Sequence, residues 1–217
     1  MAMIAQVAAQ QLTVPESIPE LAARAGWTIE ATLAAGAGHT RHRAPVDVSQ
    51  IELICDAISR LGLDPALVRS ARWLICAQAV PWRAMPTNAA AVHARFSLPP
   101  SVQCSDINAS CLSFLAALQL VGPCVDASGK PALVASSEDP LMALDWSEPH
   151  SAALFGAGAA AAWVVPDRMP QVGETLLAIG THLIESHTAT SEACVIRGGG
   201  TKDPFGAEGY GKFSMNG

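Results

Sequence analysis

The sequence predicts an α/β fold. Apolar runs of strand length alternate with segments whose apolar residues recur at helical spacing. Half of the 217 residues are hydrophobic and only 15% are charged, which favours a well-buried core over a disordered chain. The composition is rich in Ala, with one Tyr and five Phe, and small side chains let helices lie close on a sheet.

The elements follow in order. Residues 3–9 read as a first buried strand, and Pro15 to Ile18 as a turn. Ile18 to Arg24 form a short helix, because Ile18, Leu21, Ala22 and Ala25 share a face. Residues 34–46 are a loop, and the Arg41-His42-Arg43 run in it is a solvated basic spot. Ser49 caps a helix that carries Ile51, Ile54, Cys55 and Ile58 and stops near Gly62. Residues 72–79 are a buried strand, Asn88 to Phe96 a helix and 102–108 a strand. Cys111 to Val121 is apolar on all sides, which predicts a buried helix. Residues 131–136 are a strand and 137–150 a polar loop. Ser151 to Phe155 and Ala159 to Val165 read as strands flanking Gly156-Ala157-Gly158. Glu174 to His187 is a last strand or strand pair, and 197–214 is Gly-rich and loop-like. The alternation implies a largely parallel sheet, with no internal repeat and no linker.

Several function classes recede on composition. A formal net charge of -6 gains nothing from the counterion release that drives nucleic-acid binding. Residues 1–10 lack the charged start and long apolar core of a signal peptide, and the Ala-rich stretch 152–165 is too short to span a bilayer. The expectation is a soluble cytoplasmic protein. The six cysteines form no C-x-x-C pair and read as reduced thiols. His39 and His42 have a loose ligand-like spacing but no Cys or carboxylate cluster beside them, so no metal is expected.

The chemistry-bearing segment is Asp106-Ile-Asn-Ala-Ser-Cys111-Leu-Ser-Phe-Leu-Ala-Ala-Leu. A strand ends, a turn of small residues follows, and a cysteine opens an apolar helix. Backbone N–H groups and the helix dipole at such a position favour a thiolate. The same groups can donate to an oxyanion once an acyl group sits on sulfur. Cysteine is also often buried for packing alone, and Cys55, Cys76 and Cys194 are read that way.

Asn108 to Leu118 resembles the nucleophile motif of the β-ketoacyl-ACP synthase III family. Four further segments match in the family's order: Met1 to Pro15, Ala84 to Ala90, Ala132 to Glu138, and Leu154-Phe-Gly156-Ala-Gly158-Ala-Ala-Ala. The resemblance implies a thiolase-like fold in which residues 1–217 are the N-terminal half, with a mixed sheet and a buried nucleophile helix. It implies that Cys111 is the acyl-accepting nucleophile and that Asn108, Gly156 and Gly158 are structural, around the oxyanion region. It makes Met85 a substrate-binding residue that reaches into a partner's acyl pocket, and Trp27 one that stacks on coenzyme A. The family has an Asp where Ala157 stands. It has an Arg a few residues beyond its Trp, and Ala31 to Gly38 offers none. The acyl thioester donor is therefore open between acyl-ACP and acyl-CoA.

The implied reaction is decarboxylative condensation of an acyl thioester with malonyl-ACP, with no cofactor. A tailoring acyltransferase to oxygen or nitrogen and a non-catalytic subunit are the alternatives. The family's catalytic His and Asn lie in a C-terminal half that Phe213-Ser-Met-Asn-Gly217 would introduce. A homodimer, or a heteromer with a C-terminal-half partner, is expected.

Overall fold

The computed structural model describes residues 1–36, 38, 40–167, 169, 177–196, 198–199 and 212–215. In chain order the elements are β1 (Met3–Ala9), β2 (Val14–Ser17), α1 (Ile18–Ala25), α2 (Ile29–Ala34), β3 (Thr40–Arg43), α3 (Gln50–Ser59), α4 (Pro65–Arg69), β4 (Trp73–Ala77), α5 (Asn88–Arg95), β5 (Gln103–Ile107), α6 (Ser113–Ser128), β6 (Ala132–Glu138), α7 (Pro149–Ala152), β7 (Gly158–Val165), β8 (Leu177–Ala178), β9 (Cys194–Ile196) and β10 (Phe213–Met215). Two compact units divide them. The first comprises Met1–Leu12, Pro45–Glu138 and Gly158–His182, and the second Thr13–Ala44, Asp139–Ala157 and Leu183–Gly217.

The first unit is built on a six-stranded sheet in the order β5-β4-β6-β7-β1-β8. The crossovers through α5 and α6 make β5, β4 and β6 parallel neighbours. β7 is antiparallel to both β6 and β1, so the sheet is mixed. Strand residues alternate between two cores, as the two-residue period requires. Leu74, Cys76, Leu133, Ala135, Ala161, Trp163 and Val165 join Ile54, Ala57 and Ile58 of α3 and Ala89 and Val92 of α5. Ile75, Ala77, Ala132, Val134, Ala162 and Val164 join Ala117, Leu118, Val121 and Val125 of α6. A sheet buried on both faces has no polar alternation, which is why these strands read as continuous apolar runs.

α6 corrects the reading of a helix buried all round. It starts at Ser113, runs to Ser128 and ends at Gly129, whose φ of 65° is left-handed. Pro123 lies inside it on the exposed side and does not end it. One face packs on the sheet, while Leu112, which caps the helix, and Leu115 and Leu120 are 46%, 49% and 60% exposed. The run Ser110–Ser128 is long and apolar enough to cross a membrane by length and composition. Its packing against β4, β6 and β7 explains that composition within the fold.

The second unit holds two ribbons, β2 with β3 and β9 with β10. β3 corrects the solvated-loop reading of 40–43. It pairs with β2 in the register Val14↔Arg43 to Ser17↔Thr40, and Arg41 is an ion-pairing residue with a side chain only 9% exposed. A ribbon of charged residues carries no apolar alternation, so periodicity could not find it. The strand expected at 151–155 is instead the end of α7 and a turn, with Pro149 in the first helical turn. Four apolar residues do not discriminate strand from helix. Of the strand expected at 174–187, residues 174–176 lie outside the described residues and only Leu177–Ala178 is strand. Most of 197–214 and Asn216–Gly217 also lie outside.

Gly156 is fixed by space. A Cβ there would sit 2.7 Å from the His42 carbonyl oxygen and 3.2 Å from the His42 nitrogen. The neighbouring Ala157 N–H donates to that same carbonyl at 2.8 Å, so the approach is locked by a hydrogen bond. Gly156→Ala is expected to lower the unfolding free energy by about 1–3 kcal/mol, as overpacking does. Urea denaturation checks it, and a variant as stable as the parent would show that β3 yields freely. Gly158 is not held by a close approach: an added Cβ meets nothing within 4 Å.

Candidate active site

β4, β5 and β6 end at the same edge of the sheet, and the loops after β4 and β5 carry the candidate residues. β5 passes through Asn108-Ala109-Ser110-Cys111-Leu112 into α6. Ser110 has a φ of 52°, a left-handed conformation rare for a non-glycine residue, immediately before the thiol. Such strain costs about 1–3 kcal/mol and persists only where surrounding bonds impose it. Those bonds are present. The Asn108 side chain accepts from Ser110 N at 3.0 Å and donates to Ala79 O at 2.8 Å. Ser113 Oγ accepts from Ala109 N at 2.9 Å and donates to Ser110 O at 2.6 Å. The turn is therefore a sharp strand-to-helix elbow with Cys111 at its tip.

Cys111 is exposed and lies two residues before α6, where the sequence reading placed it as the first residue of a buried helix. The Leu112 and Ser113 N–H groups donate to Ala109 O and Ser110 O, each at 3.1 Å, so these two do not point at an oxyanion. Both polar ends of Asn108 are likewise committed to the turn. Its contribution is to hold the elbow.

The loop after β4 faces the same edge. Met85 lies in it, 85% exposed. Glu138, at the end of β6, accepts from Ala79 N and from Val80 N, the latter at 3.4 Å. Burial pushes its carboxyl up, and these two N–H bonds only partly offset that. A group whose folded pKa is raised contributes stability that fades as pH rises through that value. The parent is therefore expected to lose stability from this residue between the ordinary carboxylate range and its raised value. Glu138→Gln should flatten that segment of the stability–pH curve. Urea midpoints across pH 4–8 measure this, and curves of the same shape in both proteins would exclude it.

The remaining cysteines separate clearly. Burial pushes the Cys55 thiol up to about 11 and raises Cys76 well above its ordinary value. Both suit packing roles. Cys194 corrects the buried reading, because it is exposed. No cluster of three metal-ligating side chains occurs among the described residues. His39 lies outside them, and His42 Nδ1 shares a 2.9 Å hydrogen bond with Thr13 Oγ1.

In the second unit Trp27 packs against Trp146, with ring centroids 5.8 Å apart, and its indole N–H donates to Trp146 O at 2.9 Å. The guanidinium carbons of Arg24 and Arg41 lie 4.2 Å and 5.0 Å from the centroid of the Trp146 ring. Trp146 has no part in the sequence reading, and Asp106 and Glu138 stand there only inside longer segments, without a role. Glu138 closes a strand whose first four residues are apolar and buried, a signal that could have found it, whereas Asp106 lies in the polar strand Gln103–Ile107 and has no such signal.

Residues 105–188, which include Cys111, match the family model of 3-oxoacyl-[acyl-carrier-protein (ACP)] synthase III. The chain resembles the N-terminal part of that synthase. A β-ketoacyl-[acyl-carrier-protein] synthase III of Coxiella burnetii is 29% identical over 122 residues, a stretch spanning 56% of this chain and 37% of the relative. A crystal structure of 3-oxoacyl-(acyl-carrier-protein) synthase III superimposes with a TM-score of 0.83 at 21% identity, covering 100% of this chain and 67% of that one. The synthase III of Pseudomonas aeruginosa PAO1 gives 0.77 at 21% identity, with 99% and 63% covered. The priming β-ketosynthase of the R1128 polyketide pathway gives 0.67 at 22%, with 78% and 51% covered. The fold is thus the mixed α/β, thiolase-like arrangement of the synthase III structures.

Proposed function

We propose that residues 1–217 are the N-terminal half of an acyl-transferring ketosynthase in which Cys111 carries the acyl group. The strained elbow that presents an exposed thiol at the edge where three parallel strands end carries this reading. In the first step the Cys111 thiolate attacks the carbonyl of an acyl thioester. A new carbon–sulfur bond forms, the bond to the carrier sulfur breaks, and the carrier leaves as a thiol after taking a proton. In the second, malonyl-ACP loses CO2 and its enolate attacks the Cys111 thioester. A carbon–carbon bond forms and the Cys111 thiolate is released.

An acyl carrier protein is the favoured donor, because the Trp27 ring already packs on Trp146 and Ala31 to Gly38 offers no Arg. If coenzyme A is used, Trp27 must exchange Trp146 for the adenine. The His and Asn that would polarise malonyl-ACP belong to a C-terminal half, and the exposed Leu115 and Leu120 face of α6 suits cover by such a partner. β5 is an edge strand with Gln103, Cys104 and Ser105 exposed, which suits pairing of two copies and would bring Met85 to a neighbour's acyl pocket.

The test is intact mass of the chain after incubation with an acyl-ACP, followed by malonyl-ACP and a fragment bearing the C-terminal half. A thioester adduct and then a β-ketoacyl product support the proposal. Transfer from Cys111 to an amine or hydroxyl acceptor would select the tailoring acyltransferase. No adduct on the assembled protein would overturn the enzyme reading.

A further inference from the structure

Three consecutive residues at the end of β5 are tied to the segment 78–89. The Asp106 carboxylate accepts from Gln78 Nε2 at 2.7 Å and Asn88 N at 2.8 Å through Oδ2, and from Ala89 N at 2.8 Å through Oδ1. Ile107 O accepts from Gln78 N at 3.2 Å, and Asn108 Nδ2 donates to Ala79 O at 2.8 Å. Gln78 and Asn88 are 2% and 1% exposed, so this is a buried brace rather than a surface contact. Two of the donors are the first N–H groups of α5, where a carboxylate is stabilised by unpaired donors and by the helix dipole. The brace joins two things the chemistry needs together: the elbow that ends in Cys111 and the loop that carries Met85.

We infer that Asp106 is a positioning residue, whose carboxylate sets the Cys111 elbow against the Met85 loop. The inference rests on the acyl-transfer reading. Asp106 faces donors only, so an acceptor-only carboxylate fits and an amide does not. Asp106→Asn turns an NH2 group toward at least one of the three donors. The elbow, already strained at Ser110, then loses a constraint that keeps it in one conformation. Misplacing a nucleophile by about 1 Å costs on the order of a hundredfold in rate.

The experiment is single-turnover acylation of Cys111 by an acyl-ACP on the assembled protein, followed by mass across a pH series. Alkylation at the other thiols is read in parallel. Asp106→Asn is expected to lower the high-pH plateau about tenfold to a hundredfold. A mere change of local charge would move the pH midpoint and leave the plateau. Cys76, fully buried, must stay unlabelled, and Cys124, exposed on α6, must keep its rate. Adding Gln78→Glu to Asp106→Asn restores a carboxylate–amide pair but leaves Asn88 N facing the amide, and is expected to restore part of the rate. If Asp106→Asn exposes Cys76, Gln78→Met cuts one tie, leaves the α5 donors bonded and is expected to lower the plateau severalfold. An unchanged plateau in the variant that keeps Cys76 protected overturns the inference and leaves the acyl-transfer reading standing. Absence of the adduct in the parent protein is instead the failure of that reading.

Discussion

Cys111→Ala is expected to abolish the acyl adduct completely, while Cys124→Ala leaves it intact. Four thiols of this chain are exposed, at Cys104, Cys111, Cys124 and Cys194, so exposure does not select among them. Geometry does. Cys124 donates to the Leu120 carbonyl from within α6, at 3.4 Å. Cys111 follows a left-handed Ser110 braced by Asn108 and Ser113. An acyl-enzyme needs a thiol held in one place, because the gain from covalent catalysis depends on a fixed approach geometry. The adduct alone is the expected product of the chain by itself. Condensation with malonyl-ACP should be slower by on the order of a hundredfold or more without the preorganised groups of the other half. Peptide mapping of the adduct decides the first claim, and a β-ketoacyl product assay the second. An adduct spread evenly over the four exposed cysteines would remove Cys111 from its role.

Glu16→Gln should destabilise the second unit by about 3 kcal/mol, the lower end for removing one partner of a buried ion pair, because Arg24 stays partly in water. The Glu16 side chain is 4% exposed and accepts from Arg24 Nε at 2.7 Å, Arg24 Nη2 at 3.1 Å and Arg41 Nε at 2.8 Å. Arg41, its side chain 9% exposed, donates through Nη1 to Ala152 O and Phe155 O, each at 3.0 Å. Without the carboxylate, two guanidiniums share the Trp146 ring with no counter-charge between them. Burial alone would raise the Glu16 carboxyl, but the hydrogen bonds from Arg24 and Arg41 outweigh it and hold it below its ordinary value. A lowered folded pKa contributes stability above the unfolded value that is lost as pH falls through the folded one. Glu16→Gln should therefore also weaken the acid sensitivity of the parent. Urea unfolding at pH 7 and pH 3, followed through tryptophan fluorescence, measures both effects. A loss under 1 kcal/mol at pH 7 would mean that Arg41 finds water when the carboxylate is gone.

What the sequence determined by itself was the part written in local chemistry. Ser49 marks the start of α3, and Ile51, Ile54 and Ile58 give it a buried face. Apolar runs at 72–79, 131–136 and 159–165 read as buried strands, and strands lie at Trp73–Ala77, Ala132–Glu138 and Gly158–Val165. The order strand, small-residue turn, cysteine, apolar helix marks Cys111 as the candidate nucleophile. Tertiary structure decided whatever depends on partners distant in sequence. β3 exists because β2 pairs with it. α6 is one-sided because the sheet covers only one of its faces. Asp106 and Glu138 acquire meaning only when parallel pairing brings residues 78–89 alongside them, 17 to 28 positions away from Asp106 and 58 to 59 from Glu138. The family resemblance makes Trp27 a stacking residue, and only the fold sets Trp146, 119 residues on, against it. The physical reason is that a periodicity records which face of an element avoids water, while a polar side chain's role is fixed by whichever donor the fold delivers to it.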